Sequence, residues 1–219
     1  MMMLRSFGAL LGGLALLLVF SGTAAADETG LKRYVDTNTQ QLVARLNAEK
    51  GLYTTDPEAF YTSMNDALED FVDFRRIAAR VMGRYARQAT PAQRDEFVDR
   101  FKRSLFDSYA KALVETDSFT ISVKDAVIHE GNGHRASVQL EIVSGSGNRH
   151  PVTYSMYRKD NQTWMMENII VEGINIGLAF RDRFSQEVEQ QRGNIQAVID
   201  GWTSEVVDTM DLDEQGAGS

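Results

Sequence analysis

Phe119-Thr120-Ile121-Ser122-Val123-Lys124-Asp125-Ala126-Val127 marks the point where this 219-residue chain changes its hydrophobic rhythm. Upstream, apolar residues recur at helical spacing; here they recur every second residue. Phe119, Ile121, Val123 and Val127 alternate with Thr120, Ser122 and Lys124, as in a strand with one buried face. The same alternation puts Asp125 on the apolar face. Gly131-Asn132-Gly133 then reads as a hairpin turn. Ala136, Val138, Leu140 and Ile142 form the inner side of a second strand, and Val152, Tyr154 and Met156 that of a third. The loop Ser144-Gly145-Ser146-Gly147-Asn148 joins those two. Lys159-Asp160-Asn161-Gln162 turns into a fourth strand, Trp164 to Val171, and Glu172-Gly173 ends the sheet. The expectation is a four-stranded antiparallel meander with one apolar face.

Helices flank this sheet in sequence. Asp27 to Lys50 carries Leu31, Tyr34, Val35, Leu42 and Leu46 at helical spacing, with Gly51 as a stop. Asp56-Pro57 starts a second helix, Asp56 as cap and Pro57 in its first position. Thr90-Pro91-Ala92-Gln93 is a capping box that opens a long helix with Phe97, Phe101, Leu105, Tyr109 and Ala112 along one stripe. After the sheet, Ile176 to Gln191 reads as helix. Asn194 caps a last one whose stripe is Ile195, Val198, Ile199, Trp202 and Val206. The whole is one α+β domain over residues 27–210: a curved antiparallel sheet with helices gathered against one face. The acidic, glycine-containing stretch 211–219 is expected to be disordered.

Between the second helix and the capping box lies Phe74-Arg75-Arg76-Ile77-Ala78-Ala79-Arg80-Val81-Met82-Gly83-Arg84-Tyr85-Ala86-Arg87-Gln88, with five arginines and no acid. Read as a helix, it puts Phe74, Ile77, Ala78, Val81, Met82 and Tyr85 on one side. Arg76, Arg80, Arg84 and Arg87 fall on another. Arginine suits two-pronged binding of phosphate or carboxylate. A solvated basic face paired with acids elsewhere is the plainer reading of the same stripe.

The first residues set the compartment. Arg5 is the one charge before Asp27, Leu10 to Phe20 is an apolar run, and Ala24-Ala25-Ala26 offers small residues at a cleavage site. The run is too short to span a bilayer comfortably. Residues 1–26 therefore read as a secretory signal peptide cut before Asp27, with an uncleaved anchor as the alternative. Its removal takes the net charge from −8 to −9. An acidic balance of this size argues against nucleic acid and against broad adhesion to anionic membranes. The chain has no cysteine, so disulfides and thiolate metal sites are excluded.

Catalytic signals are sparse. His129, His134 and His150 lack the short spacing of familiar zinc motifs and read as turn residues, so no metal is expected. No nucleophile elbow or phosphate loop is present. Asp125 is the best candidate for a general base, against a plainer role as a strand-edge residue or an arginine partner.

Two separated blocks carry a family resemblance. The first is Asp73-Phe74, then Arg80-Val81-Met82-Gly83-Arg84-Tyr85, Gln88-Ala89-Thr90-Pro91-Ala92-Gln93, Phe97 and Phe101. The second is Trp164, then Val171-Glu172-Gly173-Ile174, Arg181 and Phe184. Together they resemble the MlaC or toluene-tolerance family of periplasmic phospholipid-binding proteins, over roughly Leu31 to Val206. Ala86, Asn168 and Asn175 depart from the family's usual tryptophan, aspartate and serine.

The resemblance implies a non-catalytic carrier in the periplasm, without a cofactor and with phospholipid as cargo. It implies two membrane partners: an outer-membrane lipoprotein–porin complex, and an inner-membrane ABC transporter with a ring-forming lipid-binding subunit. The acyl chains would lie in a pocket between sheet and helices. Its expected walls are Tyr85, Phe97, Phe101, Leu105 and Tyr109 from the helices. The strands would add Val138, Leu140, Ile142, Tyr154, Met156, Met166 and Ile170. Arg76, Arg80 and Arg84 would meet the head group or a partner. A two-chain lipid carries roughly 28 methylenes at ~0.8 kcal/mol each, so ~20 kcal/mol opposes its leaving a membrane. The pocket must therefore enclose both chains. The alternatives are a cone-like α+β enzyme using Asp125 or a histidine, and an interaction module with a filled core. A monomer is expected, because no extra apolar stripe is left over.

Overall fold

The computed structural model describes residues 22–115, 119–131, 133–159 and 163–203. Residues 1–21, the turn residues Asn132 and Asp160 to Gln162, Val206 and the 211–219 tail lie outside the described residues. No helix of the described residues is long and apolar enough to cross a membrane.

The sheet is an antiparallel meander of β1 (Phe119–Ile128), β2 (Arg135–Ser144), β3 (Arg149–Arg158), β4 (Trp164–Val171) and β5 (Ile174–Asn175), hydrogen-bonded in that order. The expected four strands thus gain a fifth. Glu172 and Gly173, both at positive φ, form a tight turn that folds Ile174 and Asn175 back onto β4. Two residues are too few to show alternation, which is why the sequence pattern does not contain this strand.

The inner face follows the register. Ile121 faces Ile142, Val123 faces Leu140 and Ala126 faces Val138 across β1–β2. Val138 faces Tyr154 and Leu140 faces Val152 across β2–β3. The pairing slips once in β1, where Lys124 is the extra residue between Val123 and Asp125. Such a bulge exchanges the two faces of the strand beyond it. Ala126 is consequently buried, whereas Val127 is 46% exposed and Asp125 points to solvent. The expectation that Val127 and Asp125 share the apolar face is corrected.

Helix α1 (Gly22–Glu49) packs along β1, the edge strand. Glu28 accepts from the Ile128 amide (2.9 Å), Lys32 donates to the Lys124 carbonyl (2.6 Å) and Gln40 to the Ile121 carbonyl (2.9 Å). These side chains recur at multiples of four residues, so one helix face closes an edge that would otherwise pair with another chain. A short α2 (Leu52–Thr55), absent from the sequence reading, precedes α3 (Pro57–Glu69). Asp56 caps α3 through the Ala59 amide at 3.1 Å.

The arginine stretch is not one helix. It forms α4 (Phe74–Met82), capped by Asp73, and then a 3₁₀ turn over Gly83–Arg87. Gly83 has φ +53°, and a Cβ there would sit 3.4 Å from the side-chain stem of Arg181. Glycine is needed for the backbone turn, and a Cβ would make ordinary contact with Arg181. Thr90 and Gln93 close the expected capping box of α5 (Pro91–Glu115), at 2.9 and 3.2 Å. Asn175 caps α6 (Ile176–Gln190) and Asn194 caps α7 (Ile195–Asp200). The last helix is shorter than expected; Trp202 is buried just beyond its end.

Two principal cores result. One lies among α4, α5, α6 and α7: Phe97, Phe101, Phe180, Phe184 and Trp202 interlock there, with Phe97 and Phe184 ring centres 4.9 Å apart. The other lies between the sheet and α1, α3 and the start of α4. Emptying one fully buried aromatic position should cost about 3–5 kcal/mol. Phe97→Ala is therefore expected to lower the unfolding free energy measured in urea by that much, whereas a change near zero would mean that Phe97 borders an open space.

Candidate functional site

The structure divides the expected pocket walls between the two cores. Tyr85, Phe97 and Phe101 are buried in the helical core, and Leu105 packs against it. Phe97 also meets Trp202 at 5.1 Å and Phe101 meets Phe180 at 5.3 Å, both edge-on, so this core is closed by its own rings. Tyr109, further along α5, is half-buried; burial pushes its hydroxyl up, and that hydroxyl has no hydrogen-bond partner.

Val138, Leu140 and Met156 are buried in the sheet core, and Ile142, Tyr154 and Met166 pack against it while remaining half-buried. Ile170 pairs with Thr153 and Asn175, and strand alternation sets it on the opposite face from Ile169 and Val171. It is thus separated from the other strand residues expected to line the pocket.

The sheet core differs from the helical core in how far it is filled. Ile121, Val123, Ile142, Tyr154, Ile169 and Val171 point inward yet keep part of their surface accessible. Tyr154 shows the same doubleness. Desolvation pushes its hydroxyl up to about 12 although its side chain stays partly accessible. Thr39 of α1, itself buried, lies close enough to offset some of that shift, but without an ordinary hydrogen bond. Apolar walls that keep part of their surface accessible suit an apolar guest, because each buried methylene contributes ~0.8 kcal/mol.

The arginine stripe meets an acid that the sequence reading passed over. β4 carries a second bulge: Ser155 pairs with Asn168 and Met156 with Met166, leaving Glu167 as the extra residue. Its carboxylate is 2% exposed and receives Arg76 at 2.5 Å, Arg80 at 3.0 Å and Arg135 of β2 at 3.0 Å. Arg76 also lies 4.0 Å over the Tyr157 ring, and the Tyr157 hydroxyl donates to Asp73, the cap of α4. Burial, followed by that bond, pushes the Tyr157 hydroxyl up to about 12. Arg84 is carried off by the turn at Gly83 to Glu189 (2.9 Å) and to the face of Tyr85. The stripe is therefore split: Arg76 and Arg80 act together, and Arg84 elsewhere. The available signal was a lone acid in an apolar strand of a chain with an acid-free arginine helix.

Beside Glu167 opens a cleft of about 640 Å³, bounded by α4, β4 and the start of α6. Ile77, Arg80 and Gly83 line one side, Asn168 and Asn175 another, and Gly177, Leu178 and Arg181 the third. Asn168 accepts from the Gly177 amide (3.1 Å) and donates to Asn175 (3.0 Å), whose oxygen also accepts from Leu178 (2.9 Å). A carboxylate at 168 could not make the donation, so the two departures from the family pattern fit one another. Gly177 admits Asn168: a Cβ there would lie 2.3 Å from its oxygen.

Asp125 accepts from the adjacent Ala126 amide on the solvent side of β1. The bulge at Lys124 thus removes it from the interior that a general base of a cone-like enzyme would occupy. His129 bonds Ser137 and His150 bonds Glu172 (2.7 Å), each separately. Among the described residues no three His, Cys, Asp or Glu side chains gather as a metal site.

Residues 36–204 match the MlaC protein family. The chain belongs to that family. The toluene tolerance protein ttg2D of Pseudomonas putida is 36% identical over 196 residues, 89% of each chain. The intermembrane phospholipid transport system binding protein MlaC of Haemophilus influenzae is 20% identical over 62% of this chain and 64% of its own. A solved phospholipid-binding protein from Ralstonia solanacearum, in complex with a phospholipid, superposes with a TM-score of 0.69 at 21% identity, over 77% of this chain and 92% of the other. That likeness establishes the α+β fold of this MlaC family member.

Two outcomes follow from the polar cluster and from Tyr154. Glu167→Gln leaves three guanidiniums around a neutral amide and should destabilise by at least about 2 kcal/mol in urea unfolding; a loss below that would make the cluster dispensable. Folding favours the protonated forms of Tyr154 and Tyr157, whose folded values are about 12 against 10.0. That stabilisation is full below pH 10 and is lost as pH rises through 12. Stability should therefore drop across this window, and less steeply in Tyr154→Phe.

Proposed function

We propose that this protein is a soluble periplasmic phospholipid carrier. It shuttles lipid between an outer-membrane lipoprotein–porin complex and an inner-membrane ABC transporter with a ring-forming lipid-binding subunit. Through this traffic it maintains the asymmetry of the outer membrane. It acts without catalysis, with the lipid as cargo rather than cofactor. The observation that carries the reading is the half-buried apolar lining of the sheet core, more extensive than that of the helical core, whose aromatic rings pack on one another. The relatives' names, with toluene tolerance and phospholipid transport, support it.

In this reading the acyl chains lie against the half-buried Ile142, Tyr154 and Met166, over a packed floor of Val138, Leu140 and Met156. Ile121, Val123, Ile169 and Val171 extend the wall. The helical aromatics act as a rigid support rather than a contact surface. Occupation offsets the cost of taking two chains out of a bilayer, and the carrier needs no other source of energy for holding its load.

The test is transfer of a fluorescent phospholipid between donor and acceptor vesicles by the mature chain, residues 27–219. Wild-type protein is expected to accelerate transfer and Val123→Phe, which fills the space, to slow it several-fold while melting within a few degrees of wild type. Transfer at the spontaneous rate with wild-type protein would contradict carriage. Full transfer by a folded Val123→Phe would contradict this location for the chains.

A further inference from the structure

We infer that the cleft between α4, β4 and α6 is a subsite for the phosphodiester of an anionic amphiphile, with Arg80 and Arg181 as its two cationic arms. The inference rests on the carrier reading and adds to it a place and an orientation for the head group. The first ground is charge. Arg76, Arg80, Arg135 and Arg181 gather here against Glu167, Asp73 and Asp182. A positive surplus thus remains at this spot in a chain whose net charge is −8. Glu167 lines the cleft but is engaged by three guanidiniums, and Asp73 by Tyr157 and the first turn of α4.

The second ground is the way Arg181 is held. Its stem lies over Gly83, within 3.4 Å of where a Cβ there would stand. Its guanidinium has one weak contact, to the neighbouring Asp182 at 3.5 Å, and is more than half exposed. An arginine fixed by its stem and loosely paired at its tip is set to bind an incoming anion in two-pronged fashion.

The third ground is amphipathy. Leu178, in the cleft wall, is 41% exposed, and Ile174 of β5, next to the cleft residue Asn175, is 50% exposed, so apolar surface borders the cleft. Ile77 lines the same cleft and also packs against both cores. Phosphate beside guanidinium, glycerol and first methylenes over Leu178, and chains directed past Ile77 is an order that matches an anionic phospholipid. Free phosphate shares the charge but has no use for the apolar rim.

Calorimetric titration with dihexanoyl phosphatidylglycerol below its micellar concentration tests this, with inorganic phosphate run in parallel. Wild type, Arg181→Gln and Arg75→Gln are compared; Arg75 removes the same charge from α4 outside the cleft. Arg181→Gln is expected to lose about tenfold in affinity for the short lipid, the scale of one charge-assisted contact. Arg75→Gln should match wild type. The Gly177 and Leu178 amide resonances should move on lipid addition in wild type alone or in Arg75→Gln. Equal affinity of Arg181→Gln and wild type would overturn the subsite while leaving vesicle transfer, and so the carrier reading, intact. Arginine-dependent binding of inorganic phosphate with no gain for the lipid would overturn the head-group assignment. A wild-type protein that also fails in vesicle transfer would sink the carrier reading itself.

Discussion

Glu167 joins the two halves of this fold. A carboxylate at 2% exposure is costly to bury, and removing one partner from such a cluster leaves uncompensated charge. The bulge in β4 aims it at α4, and Arg76 and Arg80 answer from one face of that helix. Backbone pairing fixes the same junction: Val72 bridges Met166, and Asp73 then caps α4 while accepting from Tyr157. With α4 pinned to the sheet in this way, Ile77 comes to lie against both cores.

The two cores then divide the labour. The helical core is packed by interlocked aromatic rings and gives a rigid wall. The sheet core keeps accessible surface on inward-pointing Ile121, Val123, Ile142 and Tyr154. The edge of β1 is closed by Glu28, Lys32 and Gln40 of α1, so the sheet offers no free edge there to other chains. Charge is segregated as well, with the chain acidic overall and basic beside Glu167.

Much of this is legible in the sequence because it depends on near neighbours. The alternation in β2 and β3, the Thr90–Gln93 box and the caps at Asp56 and Asn194 follow from spacing of a few residues. What escapes depends on pairing between distant segments. Neither bulge shows in its own strand, so Asp125 reads as inward and Glu167 as part of an apolar run. The turn at Gly83 depends on the backbone conformation there and on the arrival of Arg181, and it divides a stripe that periodicity alone would keep whole. Periodicity likewise cannot distinguish a closed core from an open one, which is why Phe97 and Tyr154 look equivalent in sequence and differ in the fold. The inner and outer placement of Ile170 turns on the β4 bulge for the same reason.

The most direct measurement is lipid extraction and mass spectrometry on residues 27–219, exported to a bacterial periplasm and purified without detergent. The account predicts about one phospholipid per protein, lost in Val123→Phe, which enlarges a half-buried residue of the proposed wall. A protein that emerges empty and also refuses lipid from vesicles would contradict it, and would leave the open sheet core without a guest.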